Sequence, residues 1–158
     1  MMQYIAARRV LTTGLLAGLA GGLAEVAWIA IYAALTAADA GAVARGVSDT
    51  LVDQTALPVL NGLGIHMSLA ALLGIGIASA LQAAGPRLRG ISEYVAVLAV
   101  LTAVWAVNFF VVLPLINPQF VQLVPYAASL ISKLLFGLAA AWTFRAARAL
   151  CLPSLCGS

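Results

Sequence analysis

Four residues of this chain carry groups able to hold an ion or exchange a proton from inside apolar sequence: Glu25, His66, Asn108 and Lys133. They supply a carboxylate, an imidazole, a carboxamide and an ammonium, which together make an acid, a base, a counter-charge and a neutral donor and acceptor. An isolated Glu or Lys inside a hydrocarbon layer costs at least about 2.5–3.5 kcal/mol. Lys133 would need to reach about 15 Å to the outer interface, more than twice the length of its side chain. Pairing it with Glu25 across two helices brings the buried charge to zero, and His66 and Asn108 can then satisfy the remaining donors and lone pairs. Two kinds of chemistry fit such a set. One is a polar network that locks helices into register. The other is a small cavity in which Glu25 and His66 exchange protons or bind something small.

The elements that must position these residues are four apolar runs of spanning length. The first, Val10–Leu35, is nearly unbroken apolar sequence and carries Glu25 as its single charge. The second runs over 58–81 from a proline in its first turn, the third over 92–113 with Ser92 as its N-cap, and the fourth over 123–144 with Pro125 in its first turn. Gly85–Gly90 (GPRLRG) breaks the second, and Pro114 and Pro118 end the third. At 1.5 Å of rise per residue, Glu25 lies about 15 Å from the outer end of its helix, His66 about 12 Å, Asn108 about 9 Å and Lys133 about 15 Å. With chain direction alternating, all four fall in the outer half of a bilayer or near its middle.

Helical spacing also suggests faces. Gly14, Gly18, Gly21, Glu25, Trp28 and Tyr32 share one stripe of the first helix, and Gly62, His66, Leu69, Leu73 and Gly76 one of the second. Tyr94, Leu101, Trp105, Asn108 and Val112 share a stripe of the third, and Tyr126, Ser129, Lys133, Gly137 and Ala140 one of the fourth. Small residues let helices approach, and polar ones then bond across the interface. Trp28, Tyr32, Trp105, Tyr126 and Ser129 are therefore candidates to line a site around the four polar residues, although aromatics near helix ends also fit an interfacial belt.

Composition agrees with this architecture. Of 158 residues, 64% are hydrophobic and 8% charged, with a mean hydropathy of +1.09. A water-soluble domain carries about 25% charged residues. The chain reads as an all-α polytopic membrane protein, a bundle of four transmembrane helices forming one domain over 10–148. Arg8, Arg9, Arg87, Arg89, Arg145 and Arg148 flank one side, and Arg45 alone the other, with Asp39, Asp49 and Asp53. That asymmetry predicts both termini inside, a cytoplasmic N-terminus over 1–9 and a cytoplasmic tail over 149–158. It encodes topology and does not suggest nucleic-acid binding. The start MMQYIAARRV resembles a signal peptide, but the apolar run continues too far past it and reads as an uncleaved first span.

In the outer loop over 36–57, Val43, Val47 and Leu51 oppose Arg45, Asp49 and Asp53. This pattern predicts a short amphipathic helix on the outer surface, with Arg45 and Asp49 as an i,i+4 pair and Gly46 weakening it. In the second outer connection, Leu115–Gln122, the side chains of Asn117, Gln119 and Gln122 are available to backbone groups. Cys151 and Cys156 form neither a CxxC nor a disulfide framework, and read as reduced thiols. The single histidine excludes bis-histidine haem, and no glycine loop follows a strand to hold a nucleotide. A metal held by His66 and Glu25 with Met67 is disfavoured, because Met67 points about 100° from His66. No metal or other cofactor is expected.

The first helix (GLLAGLAGGLAEVAW), the second (HMSLAALLGIG) and SKLLFG in the fourth together resemble uncharacterised small four-helix inner-membrane proteins of bacteria. The resemblance implies a multi-pass protein of the bacterial inner (plasma) membrane, and it carries no activity to any residue here.

Both aqueous faces are too short for a soluble active site. No Ser–His or HxxxH arrangement supports an enzyme acting on lipid or quinone. The first functional expectation is therefore a non-enzymatic accessory or assembly subunit of a larger membrane complex, such as a respiratory one. Its partners would be the bilayer with other membrane subunits or further copies of itself. The alternatives are a small carrier or proton-coupled binding protein working through Glu25, His66 and Lys133 on a small ligand, and a purely structural network.

Overall fold

The computed structural model describes residues 2–36, 38–51, 56–85, 88 and 90–151. Asp53, Arg87, Arg89 and Cys156 lie outside the described residues, and of Cys151 only the backbone is described. The described chain is helical without strands: α1 (Met2–Thr36), α2 (Ala40–Leu51), α3 (Pro58–Ala84), α4 (Ile91–Val107), a π-helical turn (Asn108–Val112), α5 (Leu113–Ile116), α6 (Phe120–Leu123) and α7 (Tyr126–Cys151). Among the described residues, four segments are long and apolar enough to cross a membrane: Ala7–Thr36, Pro58–Ala84, Ile91–Ile116 and Tyr126–Ala149. This is an all-α bundle of four spanning helices and a multi-pass membrane protein, with the amphipathic α2 between the first two spans.

Proline and glycine set the boundaries, with two corrections to the sequence reading. The N-cap of α4 is Gly90, not Ser92. Gly85 and Gly90 both take positive φ, 67° and 68°, where a side chain is strained. The bend between α3 and α4 rests on these two glycines. Pro114 does not end the third span but sits inside it. A proline ring inside a helix clashes with the carbonyl four residues back and removes a donor. Here the turn before it widens, the Leu113 N–H reaching back five residues to the Asn108 carbonyl, and the helix continues to Ile116.

The order of packing is α3 against α1, α1 against α7, and α7 against α4. In a bilayer the lipid is as apolar as leucine, so close van der Waals contact and interhelical polar bonds hold helices together. The α1–α3 contact is built on that rule. Gly14, Gly18 and Gly22, four residues apart, meet α3 at Gly74–Ile75, Ala70–Ala71 and Met67–Ala70. A Cβ at Gly18 would stand 2.2 Å from the Ala70 carbonyl oxygen, and one at Gly74 2.3 Å from that of Gly14. Gly21 belongs to a different contact, pressed against the Phe136 ring of α7. The single glycine stripe expected on α1 is thus two adjacent ones serving two neighbours. On α3 the face toward α1 runs through Ala70, Gly74 and Ala78 in steps of four, with His66 in register, while Gly62 one step further meets the Ala44 backbone of α2. Leu69 and Gly76 are exposed.

Toward the arginine-rich end all four spans share one core, in which Leu101, Phe136, Ala140 and Ala141 are wholly buried and Phe144 nearly so. Toward the opposite end a second cluster gathers Trp105, Phe109 and Leu113 with Phe120 and Leu130.

Crowding a shared backbone contact costs about 1–3 kcal/mol, so Gly18→Leu should lower stability by that order in a denaturant titration of the detergent-solubilised protein. Gly76 has no neighbour within 4 Å, so Gly76→Ala should gain about 0.5–1 kcal/mol from helix propensity alone.

Candidate functional site: an intramembrane acid between two bases

Glu25 sits on α1 where its two neighbours converge. The Lys133 Nζ on α7 lies 2.7 Å from Glu25 Oε1, and the Ser132 hydroxyl donates to the same oxygen at 3.2 Å. On the other side, His66 Nε2 on α3 stands 3.5 Å from Glu25 Oε2. The carboxylate is therefore held between an ammonium and an imidazole from helices that both pack on α1. The expected pairing of Glu25 with Lys133 is present, and His66 completes the group.

The three groups differ in access. The Glu25 side chain is 4% exposed, while His66 is 27% and Lys133 20% exposed. The acid is sealed, and each base keeps an open side. The Lys133 ammonium also lies 5.6 Å from the centroid of the Phe136 ring. That contact places the positive charge against the π face of the residue that closes the apolar core. Glu25 Oε2 and His66 Nε2 are both buried and neither makes a hydrogen bond. Their 3.5 Å separation exceeds the usual range of about 2.7–3.2 Å for such a bond.

Asn108, expected in the same interior, is not a partner of Glu25. Its segment packs on α7, beyond α1 and α3, and Asn108 itself is half-buried at the first position of the π turn. The proposed lining residues frame the site without touching Glu25. The Trp28 indole N–H donates to the Ala128 carbonyl at 2.9 Å, tying α1 to α7 one turn from Ser132, and the Trp28 and Tyr32 rings lie 6.4 Å apart. The Trp105 indole N–H donates to the Ser129 hydroxyl at 2.8 Å, tying α4 to α7. Tyr126 joins the ring cluster of Trp105, Phe109 and Phe110.

Two participants escape a reading of the sequence. Ser132 is one, since a serine in an apolar helix gives no sign of what it faces. Glu93 is the other. It is wholly buried in the first turn of α4, its Oε1 bonded to the Arg148 guanidinium of α7 and its Oε2 without a partner. Beside it, the Arg145 guanidinium lies 5.4 Å from the Tyr94 ring centroid. The signal was the spacing of Glu93, Val97 and Leu101, which puts the acid in register with a buried stripe.

Outside the spans, Arg45 pairs with Asp39 and not with Asp49. Asp39 precedes α2 and caps it, its Oδ1 accepting the Gly41 N–H at 2.8 Å, which leaves Oδ2 for the guanidinium. Gly46 does not break α2; it is buried against Phe120 and Leu123, and its carbonyl accepts from the Asn117 amide at 3.3 Å. A groove of about 460 Å³ remains between α2 and α6, edged by Arg45, Asp49, Asn117 and Gln119. Among the described residues, no three His, Cys, Asp or Glu side chains gather as a metal site, and Met67 packs on Gly22.

Set beside known proteins, the chain matches no family model, no curated protein and no solved structure. Its function is therefore read from the geometry above.

Removing one partner of a buried ion pair costs about 3–5 kcal/mol. Glu25→Gln should destabilise the solubilised protein on that scale, and adding Lys133→Met should restore most of the loss in a double-mutant cycle. The Arg45 guanidinium holds the Asp39 carboxyl below its ordinary value of 3.8. A depressed carboxylate contributes its pairing above the usual range and loses it as pH falls through the lowered value. Arg45→Gln should move the Asp39 carboxyl titration upward, read from its ¹³C resonance.

Proposed function

We propose that this chain is a small proton-coupled binding protein or carrier of a bacterial inner (plasma) membrane, with Glu25 and His66 sharing the working proton and Lys133 serving as fixed counter-charge. The observation that carries the reading is the facing pair of buried, unbonded atoms, Glu25 Oε2 and His66 Nε2, 3.5 Å apart. Leaving two buried polar atoms unmade costs about 1–3 kcal/mol each. A water bridging them would have to reach two atoms that are both buried. A proton on Nε2 needs no added volume. It turns the imidazole into a donor toward the carboxylate, and a closing of a few tenths of an ångström makes a charge-assisted hydrogen bond.

Imidazole is also the side chain whose ordinary titration falls near neutral pH. The membrane assignment, with both termini inside, is supported by the arginine asymmetry and by the resemblance of the helices to bacterial inner-membrane proteins. Infrared difference spectra between neutral and acidic pH should carry a Glu25 carboxyl or His66 imidazolium signal that disappears in Glu25→Gln. Identical spectra for the two proteins would refute the reading.

The accessory-subunit reading is favoured by a different observation. The spans of α3 and of 91–116 have only 22% of their most apolar window buried inside the chain, against 44% for α7. Those outer helices present apolar faces suited to another subunit or to lipid. Native gels after mild detergent extraction should then show a larger assembly, and a lone monomer would count against it.

A further inference from the structure

We infer that the Glu25–His66–Lys133 site takes up a small monovalent anion together with its proton, so that the proton-coupled partner is an anion and not a cation. This rests on the protonation reading above and adds the ligand class. Glu25 and Lys133 cancel, and with neutral His66 the cluster carries no net charge. Adding the proton between Oε2 and Nε2 leaves it at +1 inside the hydrocarbon layer, where an unbalanced charge is unfavourable.

Among the described residues, no acid nearby can balance it. Every element packed against Glu25 is accounted for: α3 presents His66, α7 presents Ser132 and Lys133, and α2 turns Arg45 and Asp49 to its groove against α6. Asp39 is held by Arg45. Glu93 is held by Arg148, 15 positions along α7 from Lys133, or about 22 Å. The compensating negative charge must arrive with the proton.

The site has the donors to receive it. An ammonium offers three N–H bonds, and the Glu25 carboxylate accounts for one partner of Lys133, whose side chain keeps an open fifth of its surface. His66, once protonated, turns its Nε2–H to Glu25 and adds its positive charge beside that ammonium. A cation would meet these two bases first, since the acid behind them is sealed. The wholly buried Phe136, Leu101 and Ala140 close the route toward the arginine-rich end, so exchange proceeds from the end that carries α2. The balance is simple: one proton and one anion bind to a neutral site and leave it neutral.

The test uses the full-length protein in detergent, weakly buffered with a pH indicator, titrated with sodium acetate and separately with sodium chloride at matched pH. Linkage requires uptake of up to about one proton per chain as the anion saturates. Loss of that uptake in His66→Gln, which leaves the Glu25–Lys133 pair in place, supports the inference. If the infrared signal of Glu25 or His66 titrates but neither anion drives proton uptake, the anion assignment is overturned and the protonation reading stands. If no infrared signal titrates, both fall. Uptake that persists in His66→Gln also overturns it, because the proton then binds elsewhere.

Discussion

A carboxylate in a hydrocarbon layer has to find an opposite charge, a proton or water, and the arrangement of these helices follows from how Glu25 meets that demand. Lys133 can reach Glu25 only if α1 and α7 come close, and they come close because Gly21 gives way to the Phe136 ring. His66 can reach the other oxygen only if α3 lies directly on α1, which the glycines at 14, 18 and 22 permit, the Gly74 backbone fitting between the first two. The small residues are thus the steric condition for the electrostatic contact. Since lipid gives helices no hydrophobic reason to associate, the two together hold the three-helix unit in one register.

α7 is the common partner. It supplies Lys133 to the acid of α1 and Arg148 to the acid of α4, each acid buried and each with one oxygen unbonded. Between the two pairs lies a stretch with no polar group on its buried face: Phe136, Ala140, Ala141 and Phe144. The acids therefore behave as separate devices facing opposite ends. The Arg148 side chain is 46% exposed at the arginine-rich end, which fits a surface clamp. Glu25 is enclosed by groups able to change protonation, which fits a working site.

Much of this was legible in the sequence because charge in an apolar run is so constrained. Glu25 and Lys133 were the two full charges of opposite sign at that depth, and the four runs and the amphipathic helix α2 follow from composition and period. What was not legible depended on helix order and rotation. Asn108 shares the depth of Glu25 but belongs to a helix on the far side of α7, and the widened turn at Asn108–Val112 arises from Pro114, read beforehand as a stop. Glu93 lay hidden because an acid in the first turn of a helix ordinarily needs no explanation beyond the helix dipole. Arg45 chose Asp39 over Asp49 because a capping carboxylate is already held in place for it.

The central claim is that Glu25 and His66 share a proton. His66 is the single histidine of the chain, so ¹⁵N-histidine labelling gives one imidazole whose two nitrogens report its protonation directly. As pH is lowered from mildly alkaline to mildly acidic, the Nε2 resonance should move from the neutral toward the imidazolium position, and Glu25→Gln should change that titration. Imidazole shifts that stay constant with pH, or titrate identically in both proteins, would contradict the account.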